Sequence, residues 1–219
     1  MKRNRTVKLD PGKFRMIDEM LCTLNSSDIL ELFQKDSEYF SIYHQGFINQ
    51  ISSWPINPLS LVESEIRRLA KNDKWVIADL GCGQGQLALN LIDMQNLTVF
   101  SYDLISLRED ILACDISHLP LHNKKFDCAV FCLSLIGENH VNMVKEAHRV
   151  LKNQGILIVA EAVNKLNQKD FIRDMQIIGY KNIKTIAPNS YFSLFVFRKI
   201  KPSGLEPSRL LNLYKYKKR

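Results

Sequence analysis

No apolar run in this 219-residue chain approaches the roughly 20 residues of a membrane-spanning helix. The N-terminus also lacks the apolar core of a signal peptide. Neither a helical membrane span nor a secretory leader is expected, so the expected setting is intracellular. Cysteine is sparse: Cys22, Cys82, Cys114, Cys128 and Cys132 fall mostly inside strand-like runs, and none has the paired spacing of a metal centre. They read as small buried hydrophobes in a reducing compartment, with no disulfide and no metal expected. Glycine is scarce too, at nine residues, yet three of the nine stand together at Gly81, Gly83 and Gly85.

Those glycines end the run Trp75-Val-Ile-Ala-Asp-Leu-Gly-Cys-Gly-Gln-Gly85. Val76, Ile77 and Ala78 read as a buried parallel strand, and Leu87, Leu91 and Met94 as the inner stripe of a following helix. A strand-to-turn-to-helix junction free of Cβ atoms lets a ligand lie directly on backbone N–H groups. Dinucleotide sites want Gly-x-Gly-x-x-Gly, and this spacing differs, which argues against a nicotinamide dehydrogenase. Asp79-x-Gly81-x-Gly83-x-Gly85 instead resembles the first motif of S-adenosylmethionine-dependent methyltransferases.

Later strand ends carry matching chemistry. Leu97–Phe100 leads to Tyr102-Asp103, about 20 residues on, where a doubly wound fold presents an acid to a ribose. Ile111–Cys114 leads to Asp115-Ile116, which suits an adenine: carboxylate to the exocyclic amine, apolar side chain against the ring. Taken alone, Asp103 and Asp115 could equally be turn or cap residues. The run Phe126–Leu135 is the most apolar and is expected at the sheet centre, so Cys132 to Glu138 should face the transferred methyl group. Strands at 155–161, 182–187 and 191–197 follow, with helices near 141–152 and 170–178. The expected fold is α/β and Rossmann-like: a mostly parallel sheet with one antiparallel strand in its edge region and helices on both faces.

Three segments are expected: a helical appendage over 1–70 packing on the catalytic core, a cofactor-binding core over 71–200, and a basic tail over 201–219. Helical periodicity in the first is broken at Pro11-Gly12, Asn25-Ser26-Ser27 and Trp54-Pro55, with Leu30, Phe33, Tyr39, Phe40, Tyr43, Phe47 and Ile51 facing inward. His44, on that apolar face, reads from the residues alone as a hydrogen-bonded core histidine. Net charge is +7, and the excess sits at the ends: Lys2, Arg3, Arg5 and Lys8, then Lys215, Lys217, Lys218 and Arg219. Tyr214 and Tyr216 alternate with the last cations, a pattern that suits a polyanion such as RNA as well as a solvated tail.

From Leu9 onward the chain resembles the methyltransferase domain of the ribosomal RNA-processing protein 8 family. The resemblance is carried by Lys13-Phe14-Arg15, Leu32-Phe33-Gln34, Tyr43-His44-Gln45-Gly46-Phe47, Trp54-Pro55, Ala78–Gly83, Cys114-Asp115, Val130–Leu135, Arg149–Lys152 and Ser203-Gly204-Leu205. It implies a nucleolar, hence nuclear, enzyme that uses S-adenosylmethionine to methylate N1 of an adenine in large-subunit ribosomal RNA during ribosome biogenesis. It implies cofactor contacts from His44, Gly81, Asp103, Asp115, Ile116 and Cys132, with Asp79, Gly83 and Gly85 in support, and partners in pre-ribosomal particles and chromatin-silencing complexes. Asn153-Gln154-Gly155 stands where many methyltransferases have Pro-Gly-Gly before the fifth strand, and Gln84-Gly85-Gln86 follows the general methyltransferase pattern more than this family's own. Because adenine N1 has an in-plane lone pair, no general base is expected; Glu138 and Glu161 are the acids that could stabilise positive charge developing on the base, or else cap helices and pair with cations. A cofactor-binding recruiting module and a small-molecule methyltransferase are the alternatives.

Overall fold

The computed structural model describes residues 11–207 and 210–211. Its strands are β1 (Trp75–Leu80), β2 (Leu97–Asp103), β3 (Ile111–Ala113), β4 (Phe126–Cys132), β5 (Leu151–Ala162), β6 (Tyr180–Ile186) and β7 (Phe192–Lys199). They form one sheet in the order β3-β2-β1-β4-β5-β7-β6. The β1–β2, β1–β4, β2–β3 and β4–β5 pairs are parallel, while β7 runs antiparallel to both β5 and β6. The antiparallel strand is therefore inserted beside β5, and β6 is the edge. β4 takes the central place that its apolar composition predicts.

Side chains on the central strands alternate between two cores, as the pleat requires. Phe131, Leu157, Val159, Phe195 and Phe197 face α6 (His140–Val150) and α7 (Gln168–Ile178). Ile77, Val130, Ile158 and Val196 face α4 (Pro58–Leu69) and the one-turn α5 (Gln86–Asn90). Burying one such side chain contributes about 1.5–3 kcal/mol. Cys128, read as a small hydrophobe, sits fully buried in the second core.

The helical segment before the sheet divides. α1 (Pro11–Thr23), α2 (Ser26–Lys35) and α3 (Ser37–Ser52) share their own core of Ile17, Leu21, Ile29, Phe33, Phe40, Ile42 and Tyr43. α4 instead packs on β4, β5 and β7, so the fourth helix covers the sheet although it precedes residue 70. Asp36 separates α2 from α3 with an extended backbone, its carboxylate accepting from the Glu38 N–H at 2.9 Å. Asn57 caps α4 in the same way, ahead of Pro58. Gly46 makes the α1–α3 contact possible: a Cβ there would lie 2.2 Å from Cδ2 of Phe14.

At the far end, the chain beyond residue 200 does not leave the core at once. Leu210 and Leu211 are buried in the α6 and α7 core, and the Leu211 N–H donates to Nε2 of His140 at 3.4 Å. The basic residues Lys2, Arg3, Arg5, Lys8, Lys215, Lys217, Lys218 and Arg219, and Tyr214 and Tyr216 with them, lie outside the described residues. No helix among the described residues is long and apolar enough to cross a membrane.

Candidate active site

The turn after β1 is left-handed at each of its glycines: φ is +75° at Gly81, +56° at Gly83 and +67° at Gly85. Gly81 and Cys82 donate their N–H groups to the Tyr102 carbonyl at 2.8 and 3.0 Å, which ties the turn to the end of β2. One residue further, Asp103 accepts from the Gly83 N–H through Oδ2 at 2.7 Å. The acid and the glycine turn are thus locked together.

Above them lies the segment leaving β4. Leu133 takes a left-handed φ of 58°, strained for a branched residue, and this bends the chain away from the sheet over Gly81. Contact is close enough that a Cβ at Gly81 would come 2.4 Å from Cβ of Ser134. The Ser134 hydroxyl donates to the Leu80 carbonyl at 2.6 Å. Glu161, fully buried, accepts from the Leu135 N–H at 3.1 Å and so fixes the same bend from β5.

A cavity of about 400 Å³ opens between the strand ends, this bend and α3. Asp79, Gly81, Gly83, Asp103, Ile116 and Cys132 line it, as does His44 from α3. His44 reaches over the turn, its Cε1 lying 3.8 Å from where a Gly83 Cβ would be. Its ring packs on Phe40 at a centroid distance of 4.2 Å. Four candidates stand off the cavity wall. Gly85 packs against Ile111 and Arg108 as the residue before α5. Asp115 closes a local turn, accepting from the Ser117 N–H at 2.8 Å, while its neighbour Ile116 faces the cavity. Glu161 is engaged as above, and Glu138 is exposed on a segment whose backbone N–H donates to the Leu24 carbonyl at 3.0 Å.

Several wall residues were not read from the sequence as site residues. Leu21, Ile29, Phe33 and Met143 add an apolar chamber beneath α1–α3, and Tyr43 and Phe47 flank His44. The Tyr43 hydroxyl is buried without a hydrogen-bond partner among the described residues, a donor left at the wall of the cavity. The Tyr-His-x-Gly-Phe motif carried that signal, since its aromatic residues share one helical face.

Burial sets the electrostatics. It raises the Asp79 carboxyl to about 7, with the Asp103 charge adding to the effect. Asp103 is raised to about 6, burial outweighing the N–H groups of Gly83, Leu104 and Ile105. Burial lowers His44 to about 4, so its imidazole is neutral near pH 7. The Cys132 thiol is pushed up by burial and by the nearby Asp79 and Glu161 charges, which keeps it a thiol and a poor nucleophile. The site therefore offers two acids to a cation or a diol and apolar walls, while the Gly81, Cys82 and Gly83 N–H groups, expected to face a ligand, are taken up by Tyr102 and Asp103. Among the described residues that line it, burial raises both thiols, Cys82 and Cys132, and so disfavours the nucleophilic thiolate at each. Such an arrangement binds and aligns reactants.

A family described as "Hypothetical methyltransferase" matches residues 1–219. The chain is 38% identical over 215 residues to ribosomal RNA-processing protein 8 of Dictyostelium discoideum, covering 98% of this chain and 54% of that protein. It is 35% identical over 199 residues to ribosomal RNA-processing protein 8 of Arabidopsis thaliana, covering 88% and 67%. The chain belongs to the ribosomal RNA-processing protein 8 family. Another relative of this family member, 36% identical over 206 residues, is the 25S rRNA (adenine(645)-N(1))-methyltransferase of Schizosaccharomyces pombe, with 90% of this chain and 65% of that protein covered. The chain spans about half to two thirds of the length of these relatives. Among solved structures, the fold is shared with a TehB-like SAM-dependent methyltransferase from Corynebacterium glutamicum at a TM-score of 0.58 and 19% identity, over 75% of this chain and 100% of that one. It is shared also with the 1,6-didemethyltoxoflavin-N1-methyltransferase of Burkholderia thailandensis, at a TM-score of 0.57 and 12% identity over 90% and 93%.

Proposed function

We propose that the chain is an S-adenosylmethionine-dependent methyltransferase that modifies N1 of an adenine in large-subunit ribosomal RNA, acting in the nucleolus on pre-ribosomal particles. The observation that carries the reading is the left-handed Gly81–Gly83–Gly85 turn, with Asp103 on the Gly83 N–H at the head of a cavity roofed by His44. The activity named for the Schizosaccharomyces pombe relative supplies the substrate class.

The residues fit the cofactor. Gly83 leaves room for a ligand against the turn, with only the His44 ring near it, Asp103 offers its carboxylate to a ribose diol, and Ile116 offers an apolar face to an adenine. Asp79 supplies an anion for a ligand with ammonium and sulfonium charges. His44, His-neutral through burial, adds no opposing charge. When bound, S-adenosylmethionine supplies an electrophilic methyl group. An adenine N1 carries its own in-plane lone pair, so the residues around the cavity would have to aim that atom at the methyl group and would have no proton to remove.

The protein's part is alignment and exclusion of water, which supply much of the rate in such transfers. Cys132, Leu133, Ser134 and Ile136 form the wall beside the strand ends, and Glu161 holds that wall in place through Leu135. Adenine N1 is hidden in a paired duplex, so the target must be unpaired or flipped out.

The test is transfer of labelled methyl from S-adenosylmethionine to unmodified large-subunit ribosomal RNA, followed by digestion and mass identification of nucleosides. Labelled N1-methyladenosine, absent with Gly81→Arg, is the expected result. Cofactor binding without transfer to RNA would refute the RNA reading.

A further inference from the structure

Two turns bring aromatic rings together outside the cavity wall, one of them following its lining residues Ile51 and Ser52. Trp54, after α3, and Tyr191, before β7, have centroids 5.6 Å apart at 36°. Trp54 also lies almost parallel to Phe192, at 5.9 Å and 9°, and Phe192 is fully buried. Phe192 therefore anchors Trp54 from below. Tyr191 keeps 43% of its surface exposed. Two hydrogen bonds hold its turn: Oδ1 of Asn189 accepts from the Tyr191 N–H at 2.8 Å, and the Tyr191 carbonyl accepts from the Val163 N–H at 3.0 Å.

The pair stands beside the site. Ser52 and Asn57, which line the cavity, flank Trp54 in the chain, and the Trp54 N–H donates to the carbonyl of Ile51, another lining residue, at 2.9 Å. On the other side, Cys132 at the cavity pairs with Ala160, and Ala162 pairs with Phe192. Two strand spacings and two residues separate Cys132 from Phe192, about 10 Å across the sheet and about 7 Å along it. A nucleotide chain whose target base sits in the cavity would pass this point with an adjoining base.

We propose that Trp54 and Tyr191 form a stacking platform for the nucleobase next to the target adenine, so that the substrate is a single-stranded RNA segment and not a free nucleotide or small metabolite. This rests on the RNA reading above. Aromatic faces accept any base, so the platform contributes affinity and alignment without sequence choice. Residues 11–207 carry acids and bases in near balance, and the surplus cations lie toward the chain ends. Losing a platform ring should therefore weaken RNA binding at every salt concentration alike, because salt dependence tracks phosphate neutralisation.

The chain has two tryptophans, Trp54 and Trp75, so Trp75→Phe leaves Trp54 as the sole reporter. An adenine-containing single-stranded RNA oligonucleotide is titrated into that variant, with binding followed independently by anisotropy of a dye on the RNA. Quenching of Trp54 emission in step with anisotropy is expected. Tyr191→Ala should weaken binding about tenfold to hundredfold, the range that base stacking supplies, while Tyr191→Phe restores it. The salt slope and S-adenosylmethionine affinity of Tyr191→Ala should match the parent, which a folding defect would not allow. Saturated RNA binding with unchanged Trp54 emission, or with undiminished affinity in Tyr191→Ala, overturns the platform alone. Absence of RNA binding by the parent overturns the RNA reading and the platform with it.

Discussion

Cofactor affinity should depend on pH through Asp79. Burial raises this carboxyl to about 7, so in the free protein it is half-protonated near neutrality. A cationic ligand needs the ionised form and draws the proton off on binding. At pH 6 only about one site in eleven is ionised, so affinity should be about tenfold weaker than the plateau reached by pH 8. Asp103, raised to about 6, steepens the loss toward pH 5, whereas His44 at about 4 remains neutral across the window. The same shift acts on folding with a definite sign. Because the folded carboxyl binds its proton more tightly than the unfolded one, Asp79 favours the fold below pH 4 and that contribution disappears as pH rises to about 7, by at most about 1.4 kcal/mol per pH unit. Calorimetry at pH 6 and pH 8, in buffers of different ionisation heat, reads the proton release directly. Asp79→Asn should bind more weakly and lose most of the change between pH 6 and pH 8, keeping the Asp103 contribution toward pH 5. Equal parent affinities at the two pH values, with no buffer-dependent heat, would refute this role for Asp79.

Asp103→Ala should lose about 1–3 kcal/mol of cofactor affinity, since it removes the ribose acceptor and leaves the Gly83 N–H without its partner; unchanged calorimetric affinity would sink the assignment. Gly81→Ala forces a Cβ to within 2.4 Å of Ser134 at a left-handed φ, so denaturant melts should show about 1–3 kcal/mol less stability. Gly46→Ala drives a methyl into the Phe14 ring and should lower the melting temperature by separating α1 from α3; an unchanged melt would show that the ring yields freely. Deleting Tyr214–Arg219 should flatten the salt dependence of RNA binding and leave cofactor affinity alone, and an unaltered slope would return those residues to solvated charge.

The core of the site was legible because local chemistry dictates it. Left-handed turns need glycine, a buried parallel strand needs an unbroken apolar run, and β1 to β4 followed in the order those signals require. What escaped depended on contacts between distant residues. The appendage is expected on the core as one body, and only the apolar surface of β4, β5 and β7 separates α4, which covers it, from α1–α3 with their own core. The break at Asp36 carries no glycine or proline. Asp115 and Ile116 are adjacent, yet the Ser117 N–H claims the first and the cavity takes the second. Tyr43 reads as an inner-face aromatic, and nothing in its neighbours reveals that its hydroxyl ends without a partner among the described residues. The Trp54 and Tyr191 rings are separated by most of the chain and meet only because β7 returns beside β5.

The most direct test of the site is a calorimetric titration of S-adenosylmethionine into the parent chain and into Gly81→Arg, each first shown to be folded by circular dichroism. One molecule bound per parent chain, and no binding heat with Gly81→Arg, is the expected result. Equal affinity in the two proteins would place the cofactor elsewhere and contradict the assignment of the glycine-turn cavity.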